Sequence, residues 1–318
     1  MKIANTERIL VRIVKEIARR SGIALTSFSQ DWILRLERGD RIAHIFGYQF
    51  DLNRTSSSYI AGDKCATYEL LDHAGVGAVE HRLFLNPKLG DYVGSSGNWE
   101  PIISYFTRNE SDIVCKSNTG TGGNQVFRVR TILELERKIH KLFLSNRAVA
   151  LSPFKSIDSE YRIIMLDRSS ELIYEKMRPS VVGDGQSTLF ELISKRYGFT
   201  QFNDLVADIL TTNTASLESK PSKGEEVVLL WKHNLSKGAT AVEITDKKLQ
   251  ATLSGIARSC MTILNLRFAS VDIIRTGDVF LVAEVNSGVM MESYARQTPE
   301  NYEKAMGIYN KALEAMLS

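Results

Sequence analysis

Lys116-Ser117-Asn118-Thr119-Gly120-Thr121-Gly122-Gly123-Asn124 lies between two apolar runs, Ile113-Val114-Cys115 and Val126-Phe127. Glycines let backbone amides come close to phosphate oxygens, and the Ser and Thr hydroxyls add donors. Lys116, at the end of the preceding run, can supply a point charge to the same phosphates. The spacing is not that of a P-loop, because no Gly-Lys-Ser/Thr follows. Nor is it a dinucleotide fingerprint, because the stretch runs into a strand pattern and not a helix. A plain glycine-rich hairpin turn fits these residues equally well. The stretch therefore decides the fold only together with what lies downstream.

The downstream partner is Val282-Ala283-Glu284-Val285-Asn286. Glu284 and Asn286 are two residues apart, so on a strand they point to one face. Ser270-Val271-Asp272-Ile273-Ile274 reads as the neighbouring strand, able to set Asp272 beside them. Two carboxylates and an amide oxygen form a hard oxygen site suited to magnesium bridging phosphates. Without cysteine or histidine it does not suit zinc. Acids inside otherwise apolar strands are costly to bury without a task. Two further segments offer cations and donors: Asp158-Ser159-Glu160-Tyr161-Arg162, and Trp231-Lys232-His233-Asn234 running on to Thr240. Either alone could be a solvated loop.

Outward from these motifs the chain reads as mixed α/β (α+β). Ile9, Leu10, Ile13, Val14 and Ile17 recur at helical spacing, predicting a helix over 6–20 closed by Gly22. Strands are expected at 32–36 and 42–50, and a loop at 53–58. A helix is expected over 63–73 with Asp63 as N-cap, then a strand at 78–84 and a loop at 86–98. Strands at 113–116 and 125–130 flank the glycine stretch, and a helix follows over 131–144. Further on come strands at 161–166 and 172–176, a turn at 181–187 and a helix over 188–197. Residues 200–226 read as irregular. A strand at 227–231, a helix over 247–264, strands at 270–274 and 279–285, and a helix over 299–317 complete the chain. These group into a small α/β lobe at 1–60, a central lobe at 61–151 and a C-terminal lobe at 152–318. Neither an internal repeat nor a low-complexity tract occurs.

Composition narrows the class of activity. The chain has 318 residues, with 40 Lys+Arg against 37 Asp+Glu. So even a balance points to no nucleic-acid or membrane partner. The three cysteines are odd in number and scattered, against a disulfide framework or a zinc site. The five histidines show no metal-ligand spacing. Residues 1–20 lack the apolar core of a signal peptide, and no run is long enough to span a membrane. The expected location is the cytoplasm.

The order of these motifs resembles the ATP-grasp superfamily. The details are similar to the ATP-grasp part of cyanophycin synthetase and to glutathione-synthetase-like carboxylate–amine ligases. Val181-Val182-Gly183-Asp184-Gly185-Gln186-Ser187-Thr188 resembles that group's turn before a helix. Asn234-Leu235-Ser236-Lys237-Gly238-Ala239-Thr240-Ala241 resembles its asparagine loop, Ala283-Glu284-Val285-Asn286 its metal strand, and Gly62-Asp63-Lys64 the opening of its central lobe. The match covers about residues 60–295.

What the resemblance implies is a three-lobed ATP-grasp fold with ATP held between the central and C-terminal lobes. Lys64 and Lys116 would contact the ATP phosphates, under a loop carrying Gly120, Thr121, Gly122 and Gly123. Asp272, Glu284 and Asn286 would hold magnesium, or manganese in its place. Arg162 would stabilise the acyl phosphate or the attacked carboxylate, with Lys232 and Asn234 near phosphate or substrate. Lys176 and Arg178 compete for one further cationic position. Relatives usually carry an acid in the interlobe hinge, bonding the ribose. The hinge here, Leu151-Ser152-Pro153-Phe154-Lys155, has none, which leaves Ser152 as the candidate. The implied activity joins a small-molecule or peptide carboxylate to an amine, through an acyl phosphate, with release of ADP and phosphate. A kinase acting on a hydroxyl and a nucleotide-binding scaffold are the alternatives. Family habit adds a homodimer. The length leaves no room for cyanophycin synthetase's extra catalytic domain, so the expectation is a stand-alone ligase making one or a few amide bonds.

Overall fold

The computed structural model describes residues 7–89, 99–120, 122–123, 125–212 and 216–318. The helical spacing near the start becomes α1 (Ile9–Ser21), whose apolar stripe is buried and whose end is turned by Gly22 at φ 64°. An antiparallel meander follows: β1 (Ala24–Phe28), β2 (Ile33–Arg38), β3 (Arg41–Phe46) and β4 (Gln49–Phe50). The single strand expected over 42–50 is broken at Gly47. This residue sits at φ 62°, and a Cβ on it would lie 2.9 Å from the Trp32 ring. The loop expected at 53–58 is also corrected, because α2 (Thr55–Gly62) starts there. Serine-rich residues have little helical preference of their own. Here the tertiary setting fixes the helix: Asn53 bonds Phe268 O at 2.6 Å and accepts from Phe268 N at 3.0 Å, and Ala61 is buried. α3 (Lys64–His73) starts as expected, with Asp63 accepting from Ala66 N.

The strand expected over 78–84 is shared between two sheets. Ala78 bridges Val282, and Val79 N donates to Val282 O at 2.9 Å. β5 (Arg82–Leu85) instead pairs with β8 (Ala148–Pro153). β6 (Ile113–Ser117) and β7 (Val126–Val129) complete a central sheet in the order β5-β8-β6-β7. α4 (Trp99–Arg108), which the sequence did not announce, and α5 (Ile132–Phe143) pack on it through Ile102, Phe106, Leu135 and Leu142. Of the loop expected at 86–98, residues 90–98 lie outside the described residues.

The largest sheet runs β13 (Thr240–Glu243), β10 (Ser169–Met177), β9 (Ser159–Leu166), β14 (Phe268–Thr276) and β15 (Val279–Asn286). Alternation along β9 divides its duties. Tyr161, Ile163 and Met165 are buried under α8 (Lys247–Ile263) with Leu253, Ala257 and Met261. On the other face, Ile164 and Leu166 join α1, the meander and the last helix, α10 (Pro299–Leu317), in one core. Towards the start of β9 that second face carries Glu160 and Arg162 in place of apolar residues.

β11 (Ser180–Val182) and β12 (Glu226–Val228) form a separate hairpin, backed by α6 (Leu189–Arg196) and α7 (Phe199–Thr212). The Val181–Thr188 motif is the turn into α6. Asp184 accepts from Gln186 N and Ser187 N, and Thr188 and Glu191 form a capping box. α7 corrects the irregular reading of 200–226: Leu205 and Ile209 bury against Leu189 and Leu229. Of the expected strand 227–231, β12 takes only the first part. α9 (Glu292–Ala295) links β15 to α10. Among the described residues, no helix is long and apolar enough to cross a membrane.

Candidate active site

A cavity of about 630 Å³ lies between the central sheet and the charged end of the large sheet. Lys64, Lys116, Gly120, Gly122, Gly123, Ser152, Arg162, Lys176, Lys232, Asn234, Glu284 and Asn286 all line it. Elements far apart in sequence thus bring most of the anticipated site residues together. Two do not reach its wall: Asp272 lies beneath it, and Arg178 is exposed just beyond β10. Thr121 lies outside the described residues.

The central-sheet side is cationic. Lys116 leaves β6 next to Lys64, the first residue of α3. Burial, and then the charge of Lys64, push the Lys116 ammonium down to about 8, with Glu284 opposing the shift. Lys64 Nζ donates to Gly120 O, and Asn118 clamps the junction. The Asn118 side chain accepts from Cys65 N at 3.2 Å and donates to Asp63 at 2.6 Å. Asn118 is buried, and its structural part was hidden within a motif read for its glycines.

The glycine stretch meets the asparagine loop directly. Asn234 Nδ2 donates to Gly122 O at 2.5 Å. A Cβ on Gly123, whose φ is +67°, would lie 2.7 Å from that nitrogen. The other end of the Asn234 amide caps the turn of 3₁₀ helix Leu235–Lys237, accepting from Ser236 N at 3.0 Å. Ser152, buried on β8, faces the cavity beside Val114, Pro153, Phe154 and Trp231. Phe154 and Trp231 meet edge to face at 5.8 Å, forming an apolar wall.

The large-sheet side is an ion-pair network. Asp272 stands opposite Arg162 on β9 and Glu284 on β15. Arg162 grips both Asp272 oxygens, at 2.7 and 2.6 Å. Lys176 Nζ adds a bond to Asp272 at 2.8 Å and one to Glu160 at 2.5 Å. Burial pushes the Asp272 carboxyl up, but Arg162 and Lys176 overcome it and hold the group well below the usual range. Burial raises Glu160, against the pull of Lys176 and with the push of Asp272. Glu160 is a site residue that sequence reasoning passed over, although its segment had been singled out.

Glu284 and Asn286 face the cavity as the two-residue spacing requires, bonded to each other at 3.1 Å. Their oxygens suit magnesium. Among the described residues, no three acidic, His or Cys side chains converge as a metal cage. Such a pair fits a cation that takes its remaining ligands from phosphate oxygens and water. Asp272 is less free, since both its oxygens are engaged by cations.

Residues 223–308 match the family model of the RimK-like ATP-grasp domain. The structure superposes on a bifunctional glutathione synthetase from Pasteurella multocida with a TM-score of 0.57, at 16% identity, covering 96% of this chain and 44% of that one. This is the ATP-grasp fold. Sequence similarity leads to the same group. A bifunctional glutathione biosynthesis protein of Enterococcus faecalis is 24% identical over 268 residues, 77% of this chain and 33% of that protein. Cyanophycin synthetase of Trichormus variabilis is 26% identical over 294 residues, 88% of this chain and 31% of that protein. The chain spans about a third of the length of these curated relatives. The ATP-grasp resemblance drawn from the motifs therefore holds, and it extends across the meander as well as the central and C-terminal parts.

Proposed function

We propose that the protein is an ATP-dependent carboxylate–amine ligase that forms an amide through an acyl phosphate, releasing ADP and phosphate. The observation that carries this reading is one cavity lined by Lys64 and Lys116, by Arg162 and Lys176, and by Glu284 and Asn286. A carboxylate resists attack by an amine because its leaving group is poor. Phosphorylation supplies a good one, and the reaction then needs positioning and charge stabilisation more than a protein nucleophile.

In this reading Lys64 and Lys116 hold the phosphates, under the loop that Asn234 closes. Ser152, Phe154 and Trp231 line the base and ribose end. Arg162 and Lys176 face the carboxylate and the oxyanion that forms on amine attack. Magnesium held by Glu284 and Asn286 would neutralise charge on the transferring phosphoryl group. Asp272, saturated by Arg162 and Lys176, serves as their anchor. The closed loop pair excludes water that would hydrolyse the intermediate. The similarity to carboxylate–amine ligases supports an amine as acceptor, with amino acids or short peptides as substrates.

The test is release of ADP and phosphate from ATP-Mg in the presence of pooled amino acids and dipeptides. Release that depends on a carboxylate and an amine, with an amide found by mass spectrometry, is the expected result. A phosphorylated hydroxyl product would make the protein a kinase instead.

A further inference from the structure

His233 lies between Lys232 and Asn234 on the loop that closes the cavity, and its ring is buried against the large sheet. Its Nδ1 has no hydrogen-bond partner among the described residues and lies 3.5 Å from Glu160 Oε2. Two acceptors facing each other at that distance repel. Nδ1 therefore carries the proton and points at Glu160, which leaves Nε2 as a lone pair. The groups around it are Glu160 from β9, Lys176 from β10 and Arg178 just beyond that strand, with Lys232 beside it on its own loop. Burial, then Arg178 and Lys176, hold the imidazole down to about 4, so it is neutral at physiological pH.

Among the described residues, the other carboxylates at the cavity already have partners. Asp272 is held by Arg162 and Lys176, Glu160 by Lys176, and Glu284 accepts from Asn286. An amine substrate arrives as ammonium and must lose a proton to attack. We propose that His233, oriented by Glu160, accepts the proton of the attacking amine; this rests on the ligase reading above. The ammonium gives one proton to Nε2, and the freed nitrogen forms its bond to the acyl carbon. The C–O bond to phosphate breaks, and the phosphate leaves with the electron pair and takes up the second proton of the nitrogen. Glu160 then faces an imidazolium across Nδ1–H, while incoming phosphate charge offsets the Lys176 and Arg178 field that had kept the ring neutral.

Hydroxylamine separates this step from the rest, because it is already unprotonated at neutral pH and captures acyl phosphates without a base. Wild type, His233→Asn and His233→Gln are each given ATP-Mg and an equimolar pool of the twenty common amino acids, with and without hydroxylamine. In the variants, amide formation is expected to fall about 100-fold at pH 7, the scale of a lost general base. Hydroxamate formation should stay within about twofold of wild type by the same argument. The residual amide rate should climb as the pH is raised towards that of the free amine. Parallel loss of hydroxamate and amide, or an unchanged pH profile, overturns the relay. Wild type that yields no hydroxamate overturns the ligase reading, and the relay with it. Long-range ¹H–¹⁵N spectra of the wild type, with the His233 signal assigned from the variants, test the orientation without any substrate. The expected ring is neutral and protonated on Nδ1, a preference lost in Glu160→Gln. An Nε2-protonated ring overturns the proposal.

Discussion

At the scale of single residues, spacing along strands was the readable part of the site. Glu284 and Asn286 had to share a face, and a neighbouring strand supplies Asp272 as their cross-strand companion. Glu160 was not readable, because an acid opening a strand looks like a solvated edge until β10 brings Lys176 against it. Nor could spacing choose between Lys176 and Arg178, which have the same parity. β10 ends at Met177, so Lys176 stays inside and Arg178 emerges. Two of the three oxygen residues are now expected to behave differently. Glu284→Gln should raise the magnesium concentration for half-maximal ADP release by about tenfold or more, a loss that even an outer-shell partner of a metal can produce. Asp272→Asn should leave that concentration almost unchanged, lower turnover, and destabilise the fold by about 3–5 kcal/mol, since it breaks a buried ion pair from one side. Magnesium titrations and thermal unfolding decide this, and equal magnesium shifts in both variants would return Asp272 to the ligand set. Lys116 adds a pH dependence. Its depressed value of about 8 means the ammonium is present below that pH and lost above it. Affinity for ADP-Mg, by calorimetry, should therefore weaken as pH rises through 8 to 9. In Lys116→Arg, which stays charged, the affinity should be flat with pH.

Among the elements, long amphipathic helices and apolar strands were legible, and short or polar ones were not. α7 does carry Phe202, Leu205 and Ile209 at helical spacing, but Thr, Gln, Asn and Asp between them masked the signal, and the stripe is buried only because Leu189 and Leu229 cover it. α2 is held by Asn53 and Ala61 against residues more than two hundred positions away, a contact that no local window contains. The glycine stretch shows the same limit in a functional element. Its glycines were visible, but the reason Gly123 must be glycine is the Asn234 side chain from another loop. Gly123→Ala should strain a left-handed residue and push Asn234 off Gly122 O, opening the loop pair. The expected outcome is nucleotide affinity lower by about tenfold, equal to roughly 1.4 kcal/mol, with a melting temperature close to wild type. A variant with unchanged affinity would mean that the Asn234–Gly122 contact does not contribute to holding the nucleotide.

Over the whole molecule, the opening residues are not an appendage. α1 and the meander share one core with α10 and with the second face of the large sheet, through Leu10, Leu34, Leu36, Phe50, Ile164, Phe268 and Leu313. Phe50 stacks on Tyr309 at 5.7 Å, and the Tyr309 hydroxyl donates to Val289 O at 3.0 Å and accepts from Met291 N at 3.1 Å. Glu292, two residues after the cavity residue Met290 in this same stretch of chain, accepts from Ile9 N at 2.9 Å and Leu10 N at 3.0 Å and so caps α1. The meander also lends Trp32, Phe46 and Tyr48 to the cavity wall, so its docking shapes the site directly. Removing residues 1–53 would strip α10 and the large sheet of this cover and expose a contiguous apolar face, an aggregation hazard. The shortened chain is expected to be insoluble or to unfold without cooperativity. The milder change Leu313→Ala should cost about 2–5 kcal/mol, the range for emptying a packed core site, and should loosen the meander and the last helix together. Hydrogen exchange reads this directly: amides of β2, β3 and α10 should lose protection in step, while those of β6 and α5 in the central core stay protected. If the meander loosened while α10 kept its protection, the two would be separate folding units, and the opening residues could be removed without disturbing the large sheet.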